Sequence, residues 1–584
     1  MTQNPEVKIC DAEGKETDTV SSSSAEAIGL DQVSFTYVDA SGPALQHVSL
    51  RVGQGEMIVI MGASGAGKST LVKCLNRVIP AFQNGQLSGE VRLFGRTLLQ
   101  EKVGELAETI GMVFQDFEAQ LFSTTVRDEI IFGMEQLGVA PAEMQHRLAE
   151  ALTQVGLSGF EARDPTTLSG GQKQRLAIAA LLALRPRILV LDEPTTDLDP
   201  QGRQEIFALL GHMRQSGHTL ILVEHEVTAA IEADRLILLA AGEVIVDGPP
   251  NQVLGQVETL ERCGVKPHDL DRIFQTLGVQ RYPRDLTGAA DLLKEILRPR
   301  EEQFPSLFFN HRRGTPKEEN SPPLLNLASV THSYPDGPPV VRDITFTIRE
   351  GEFVVLLGKN GSGKTTIAKH LSGLLVPTQG QVFFKGQELS RLPLVQIAQE
   401  VSYVFQNPDH QLFADTVEAE VAFGPRNIGV SAADVDARVD EALHAVGLNE
   451  VREHDPFLLG RGERQRLAVA ALLALRPRVL ILDEPTTGLD YREQQQMMEL
   501  LRRLHRADRT IIIITHVPWV AVEYAERVLL MAEGQLLWDG SLRDLCARPD
   551  LCTQASFIPP DITQLGLQFG FTALSLGEFV EWVR

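Results

Sequence analysis

Short apolar runs that end in glycine or in carboxylates punctuate the chain. Glu56-MIVIMG and Phe353-VVLLG each run into a glycine-rich turn, while Ile188-LVLDEP and Val479-LILDEP each end in adjacent acids. The last two are continuously apolar rather than alternating, and so predict parallel strands covered on both faces. After the first glycine-rich turn, Thr70-LVKCLN reads as a helix, and Leu168-SGGQKQR opens another just before the carboxylate strand. The most apolar stretches, Leu176–Leu184 and Ile511–Ile514, fall short of the roughly 20 residues that a spanning helix needs.

The pattern occurs twice. Leu176-AIAALLALRPRILVLDEPTTDLD, ending at Asp199, returns as Leu467-AVAALLALRPRVLILDEPTTGLD, ending at Asp490, an offset of 291 that also relates Gln115 to Gln406 and His225 to His516. Lys68 and Lys364 differ by 296, so the second copy is five residues shorter after its glycine-rich turn. A period this long is a duplicated domain, not a solenoid repeat. Pro267-HDLDRIFQTLG and Pro560-DITQLGLQFG read as diverged copies of one small helical unit following each domain. The charged, proline-rich stretch after Arg298 predicts a linker. The predicted layout is a disordered tail at 1–26, a domain at 27–250 with a helical extension at 251–297, a linker at 298–323, and a second domain at 324–545 with its extension at 546–584.

Composition narrows the partners. The 584 residues carry 54 Lys and Arg against 77 Asp and Glu, a net charge of −23, which repels nucleic-acid backbones and anionic lipid. Cys10, Cys74, Cys263, Cys546 and Cys552 form no CxxC pair; they suit a reducing cytosol and predict neither a disulfide framework nor a zinc site.

The chemistry concentrates in paired motifs. Gly62-ASGAGKS and Gly358-KNGSGKT fit GxxxxGK[ST] between a strand and a helix, where Gly62, Ser64, Gly65, Gly67 and Thr70, and Gly358, Asn360, Gly361, Gly363 and Thr366, shape a cradle of backbone N–H groups for phosphate. Lys68 and Lys364 then reach the β and γ phosphates of ATP, and the Ser69 and Thr365 hydroxyls can ligate Mg²⁺. Asp192 and Asp483 are placed to hold the magnesium, with Glu193 and Glu484 beside them to polarise an attacking water. Ser169, Gly170, Gly171 and Gln172 put a hydroxyl and free amides at a helix N-terminus, again suited to an anion.

Leu168-SGGQ, lying between a phosphate loop and LDEP, is similar to the signature of ABC-type ATPases, and nearly the whole chain is covered twice. The resemblance implies two tandem α/β P-loop nucleotide-binding domains packed head to tail, with each ATP between one phosphate loop and the other domain's signature. By match it assigns Gln115 and Gln406 to magnesium sensing, His225 and His516 to the γ-phosphate, Asp199 and Asp490 to the loop coupling the sites, and Tyr37 and Tyr334 to adenine. Tyrosine packing on the sheet explains the last pair equally well. Lys364 is then expected opposite Ser169, and Lys68 opposite Gly460. Phosphate loop and carboxylates are expected at adjacent strand ends.

The second signature departs from the pattern: Leu459-GRGE puts Gly460 for the serine, Arg461 for the first glycine, Gly462 for the second and Glu463 for the glutamine. The hydroxyl is lost, Glu463 is expected to bring negative charge near a polyanion, and Arg461 offers a phosphate clamp.

Gln406-NPDHQLFADTVEAEVAFGPRNIG closely resembles the segment found in energy-coupling factor (ECF) transporter ATPases, and Gln115-DFEAQLFSTTVRDEIIFG is a looser version. That resemblance implies an ATPase on the cytoplasmic face of the membrane, docked to a transmembrane T subunit and powering uptake of a vitamin or metal ion chosen by a separate S component. Asp116, Glu118 and Asp409 are the candidate docking acids it implies, and ordinary surface carboxylates explain them equally well. A twin-ABC protein acting on the ribosome is disfavoured by the acidic charge and the lack of a basic arm. A DNA-repair ATPase would need heptads or zinc modules, and an export ATPase is disfavoured by the QLF segment.

Overall fold

The computed structural model describes residues 25–297 and 322–584 apart from 39, 41, 99–100, 197, 280–282, 284 and 336. The expected tail at 1–26 therefore lies outside them up to residue 24, and the expected linker up to residue 321.

Each half is an α/β unit with two sheets. In the first, a six-stranded sheet runs Glu243–Gly248, Arg235–Ala240, Met57–Met61, Thr219–Val223, Ile188–Asp192, Ile110–Val113 across its width. All these neighbours pair parallel except the first two. The second half repeats the order with Val401–Val404, Val479–Asp483, Thr510–Ile514, Phe353–Leu357, Arg527–Ala532 and Gln535–Gly540. Every residue of Met57–Met61, Ile188–Asp192 and Thr219–Val223 is buried. The side chains alternate between two cores: Ile58, Ile60, Val190 and Ile221 face a four-stranded antiparallel sheet, and Val59, Leu189, Leu191 and Leu222 face helices. Continuous apolarity and burial on both faces thus share one cause.

One expectation is corrected. The strand ahead of the phosphate loop and the strand ending in the carboxylates are not neighbours, because Thr219–Val223 pairs with both, as Thr510–Ile514 does in the second half. The inserted strand is the one leading to His225 or His516, so the histidine enters between lysine and carboxylates.

The two extensions pack on each other. Leu270, Ile273, Phe274 and Leu293 of the first share a core with Leu565, Phe579 and Val583 of the second. His268 lies 3.3 Å from Asp561 at their junction. The halves are thereby clasped within one chain, and the first extension also reaches the first phosphate loop, where a Cβ on Gly264 would lie 2.8 Å from Ala63 Cβ. Among the described residues no helix is long and apolar enough to cross a membrane.

Candidate functional site

The strand Met57–Met61 runs through Gly62–Gly67 into the helix Lys68–Leu75. Gly67 has φ 100°, and a Cβ there would lie 2.4 Å from the Ala44 carbonyl oxygen, so both backbone hand and space demand glycine; Gly363 repeats the conformation at φ 99°. Gly62 and Gly358 begin the two loops, and Gly65 and Gly361 turn them at φ 73° and 76°. Lys68 Nζ donates to the carbonyls of Gly62 and Ala63, both at 2.9 Å. Lys364 Nζ does the same to Gly358 and Lys359 at 2.8 and 2.9 Å. Burial lowers both lysine pKa values, against the opposing pull of Glu193 and Asp192 on the first and of Glu484 and Asp483 on the second. Each lysine therefore lies within electrostatic reach of its carboxylate pair.

Ser69 hydrogen-bonds Asp192, whose pKa is pushed up to about 6 by burial and by Glu193. Asp483 accepts from Thr365 Oγ1 at 2.8 Å and from Tyr403 at 2.7 Å, and burial raises it too. Asp192 Oδ1 and Asp483 Oδ1 are buried without a hydrogen-bond partner. Two orphaned hard oxygens beside hydroxyls fit a magnesium ion.

The neighbouring glutamates are held in a way their spacing does not announce. Glu193 and Glu484 have φ 54° and 50°, a left-handed conformation unfavourable for a non-glycine residue. Their N–H groups donate at 2.9 Å to Val223 and Ile514, the ends of the inserted strands. His225 Nε2 lies 2.7 Å from Glu193 Oε1, and His516 Nδ1 lies 2.6 Å from Glu484 Oε2. Gln115 donates to Glu193 at 2.8 Å, while Gln406 lines the cavity beside Lys364 and Glu484. Burial works to raise Glu193, but His225, Lys68 and Arg461 outweigh it and bring it down to about 2.

Tyr37 and Tyr334 stand beside the phosphate-loop helices, 3.0 Å from Thr70 Oγ1 and 3.3 Å from Thr366 Oγ1. Each also packs edge-on against a neighbouring ring, Phe35 or His332. The structure thus gives both tyrosines a packing role.

Ser169 caps the helix Gly170–Leu182, its Oγ accepting from Gln172 N at 3.4 Å while the Gln172 side chain accepts from Ser169 N at 3.0 Å. At the second signature Glu463 accepts from Gly460 N at 2.9 Å. Its carboxylate thus caps its own helix as the Gln172 side chain does in the first half. The Arg461 guanidinium lies over Gly488, where a Cβ would approach it to 2.4 Å.

The halves meet head to tail. Ser64 N donates to Asp490 at 2.7 Å and Ser64 Oγ to Glu493 at 2.8 Å. Asn360 N donates to Asp199 at 3.2 Å. A cavity of ≈ 960 Å³ holds Asn360, Lys364 and Thr365 together with Gly170 of the first signature. On the other side, Glu493 fills the space where a Cβ on Gly462 would stand, 2.3 Å away, which puts the second signature against the first phosphate loop.

The segments after the glutamines are built alike. Buried Glu129 accepts from Phe122 N and Ser123 N at 3.0 and 2.8 Å; buried Glu420 accepts from Phe413 N and Ala414 N at 2.9 and 2.8 Å. Each holds an aromatic pair at the surface: Phe122 with Phe132, ring centres 4.8 Å apart, and Phe413 with Phe423, 4.6 Å apart. All four are exposed, between 42% and 63%. Glu118 pairs with Lys173 at 3.0 Å and Asp409 with Arg464 at 2.9 Å, tying each segment to its own signature helix. Asp116 accepts from Ala119 N at 3.2 Å. Sequence reading missed the two buried glutamates, though both sit seven residues beyond the phenylalanine of QLF.

Comparison with known proteins supplies the family. The profile of the ABC transporter family matches residues 45–196 and 341–487. A protein of Caldanaerobacter subterraneus subsp. tengcongensis, provisionally described as an ABC transporter ATP-binding protein, is 45% identical over 93% of this chain and 96% of its own. One of Methanosarcina acetivorans with the same description is 39% identical over 92% and 90%. Among solved structures, Clostridium perfringens cbiO1, described as part of the ABC transporter complex cbiONQ, matches at a TM-score of 0.38 and 31% identity over 42% of this chain and 99% of its own. With both phosphate loops, both carboxylate strands and two family matches along its length, the chain belongs to the ABC transporter family as an ATP-binding protein in which two ATPase domains are fused.

Proposed function

We propose that this ATPase is the fused motor of an ECF-type importer, peripheral on the cytoplasmic face of the membrane and bound to a transmembrane T subunit. A separate S component would select the vitamin or metal ion carried. At each site the lysine and the glycine-cradled amides hold the β and γ phosphates of ATP. Ser69, Asp192 and Gln115, and Thr365, Asp483 and Gln406, would hold a magnesium ion, which would supply charge neutralisation. Glu193 and Glu484 orient the attacking water, fixed by the strained backbone and by His225 or His516. The opposite signature closes on the γ-phosphate, where charge develops.

The observation that carries the importer reading is the repeated exposed aromatic pair on the QLF segment. Two phenylalanines held in the open by a buried carboxylate form an apolar platform of the kind that takes a partner helix. It is present once per half, as a partner bridging both would require. Glu118 and Asp409 border it, so an arginine from the partner would compete with Lys173 and Arg464 and thereby address each signature helix. The test is co-purification from membranes with a small polytopic partner. Phe122→Glu combined with Phe413→Glu should abolish capture and leave ATP binding intact; undiminished capture would remove these platforms from the interface.

A further inference from the structure

We propose that Arg203 is a positioning residue acting across the interface: it holds His516 of the second half and ties it to the segment carrying His225 of the first. The inference rests on the assignment of Glu484 and His516 to a hydrolytic centre. Arg203 stands in the first turn of the helix Pro200–Gln215, directly after Asp199. Each of its three guanidinium nitrogens has a partner. Nε donates to the Leu198 carbonyl at 3.0 Å, Nη1 pairs with Glu226, and Nη2 lies 3.1 Å from His516 Nε2. The side chain is 16% exposed, which sets it apart from a solvated surface pair.

A guanidinium has donors only. His516 Nε2 therefore accepts, and the ring faces Glu484 with Nδ1. His225 is turned the other way, presenting Nε2 to Glu193. The duplicate offers a built-in control. Gln494 occupies the position of Arg203 and donates to Thr486 and Leu489 of its own half, at 3.3 and 3.0 Å. Val517 occupies the position of Glu226, so no counterpart to this ion pair can form there. The connection is built once. It runs from Glu226, next to the histidine of the Lys68 site, through Arg203 to the histidine of the Lys364 site. A shift of the Glu226 segment can thereby reach the second histidine. Binding couplings between the sites are reciprocal, but the effect on turnover need not be.

Single-turnover hydrolysis by the full chain tests this, since excess enzyme reads slow variants. Arg203→Gln should lower the rate constant about 10- to 100-fold, the scale of losing hydrogen bonds to a charged group, with little change in the ATP concentration giving half-saturation. It should add nothing further in a His516→Ala background. Glu226→Gln, at an exposed carboxylate that folding does not need, should shift the rate the same way by a few-fold. Full multiplication of the Arg203→Gln and His516→Ala losses would overturn the proposal, and so would a wild-type rate for Arg203→Gln. Glu484→Gln separates the two failures. If it abolishes hydrolysis while Arg203→Gln is silent, only the arginine's role falls. If it leaves hydrolysis intact, the hydrolytic assignment falls and this inference with it.

Discussion

Replacing the two glutamates one at a time should expose unequal ATP sites. On the proposed pairing the Lys364 site would be completed by the Ser169 hydroxyl and by the amides of Gly170 and Gly171. The Lys68 site would be completed by Gly460, Arg461 and Gly462, which supply amides but no hydroxyl. One preorganised donor to developing charge is worth about 10²–10³ in rate, so the Lys68 site should turn over at roughly 1% of the other or less. Glu484→Gln then leaves about that residue of the total, whereas Glu193→Gln leaves most of it. The missing hydroxyl adds to the Arg203 contact, which His516 receives and His225 has no counterpart of. Arg461 is the opposing term: its guanidinium helps lower Glu193 and can grip phosphate oxygens bidentately. Steady-state phosphate release at saturating ATP, with nucleotide binding checked separately, reads the outcome. Equal losses from the two substitutions would refute the asymmetry and mean that Arg461 compensates in full or that the sites fire only together.

Two further outcomes follow from interface and platform. Cysteines at Ser64 and Glu493, whose native side chains meet at 2.8 Å, should be joined within a single chain by a short bis-thiol cross-linker; a product of doubled mass alone would show that the halves pair between molecules. Glu420→Ala strands two part-buried N–H groups that had a charged acceptor, each bond worth about 1.5–3 kcal/mol. Partial rehydration beside the exposed Phe413 should bring the cost nearer 3 kcal/mol, lowering the midpoint of thermal unfolding by roughly 6–12 °C; an unchanged midpoint would deny the carboxylate its role in the loop.

Most of the fold and the core of each site were legible because their chemistry is local. A glycine-rich turn between strand and helix, and acids at the end of an apolar run, mean the same thing wherever the chain goes next, and duplication repeated each signal. What stayed hidden depends on long-range placement. The strand Thr219–Val223 entered between the other two because nothing in an apolar run states its neighbour. Arg203 and Glu129 looked like ordinary charges on helices. Only the fold brings the first to His516, 313 residues away, and turns the second inward beneath Phe122. The left-handed φ of Glu193 and Glu484 is likewise imposed by hydrogen bonds to a distant strand end rather than by the glutamates themselves.

The duplicate halves differ where nucleotide chemistry is completed and agree where a partner would dock. Ser169 becomes Gly460, Gly170 becomes Arg461, Gly202 becomes Glu493 and Arg203 becomes Gln494. All four changes lie along the interface, and they alter how one phosphate loop is closed. The aromatic pairs keep their residues and their edge-on geometry, the buried glutamates keep both bonds, and the cation–acid ties Lys173–Glu118 and Arg464–Asp409 keep their sign. A partner spanning both halves needs two equivalent footholds, since losing either leaves one half undriven. Hydrolysis needs only one fast centre, provided the other still binds nucleotide and holds the halves together. A slower site could then trade its signature hydroxyl for interface contacts, and the Ser64 bonds to Asp490 and Glu493 would serve as such contacts. Asymmetric chemistry on a symmetric platform is what fusing both domains in one chain permits, because each half always meets the same partner.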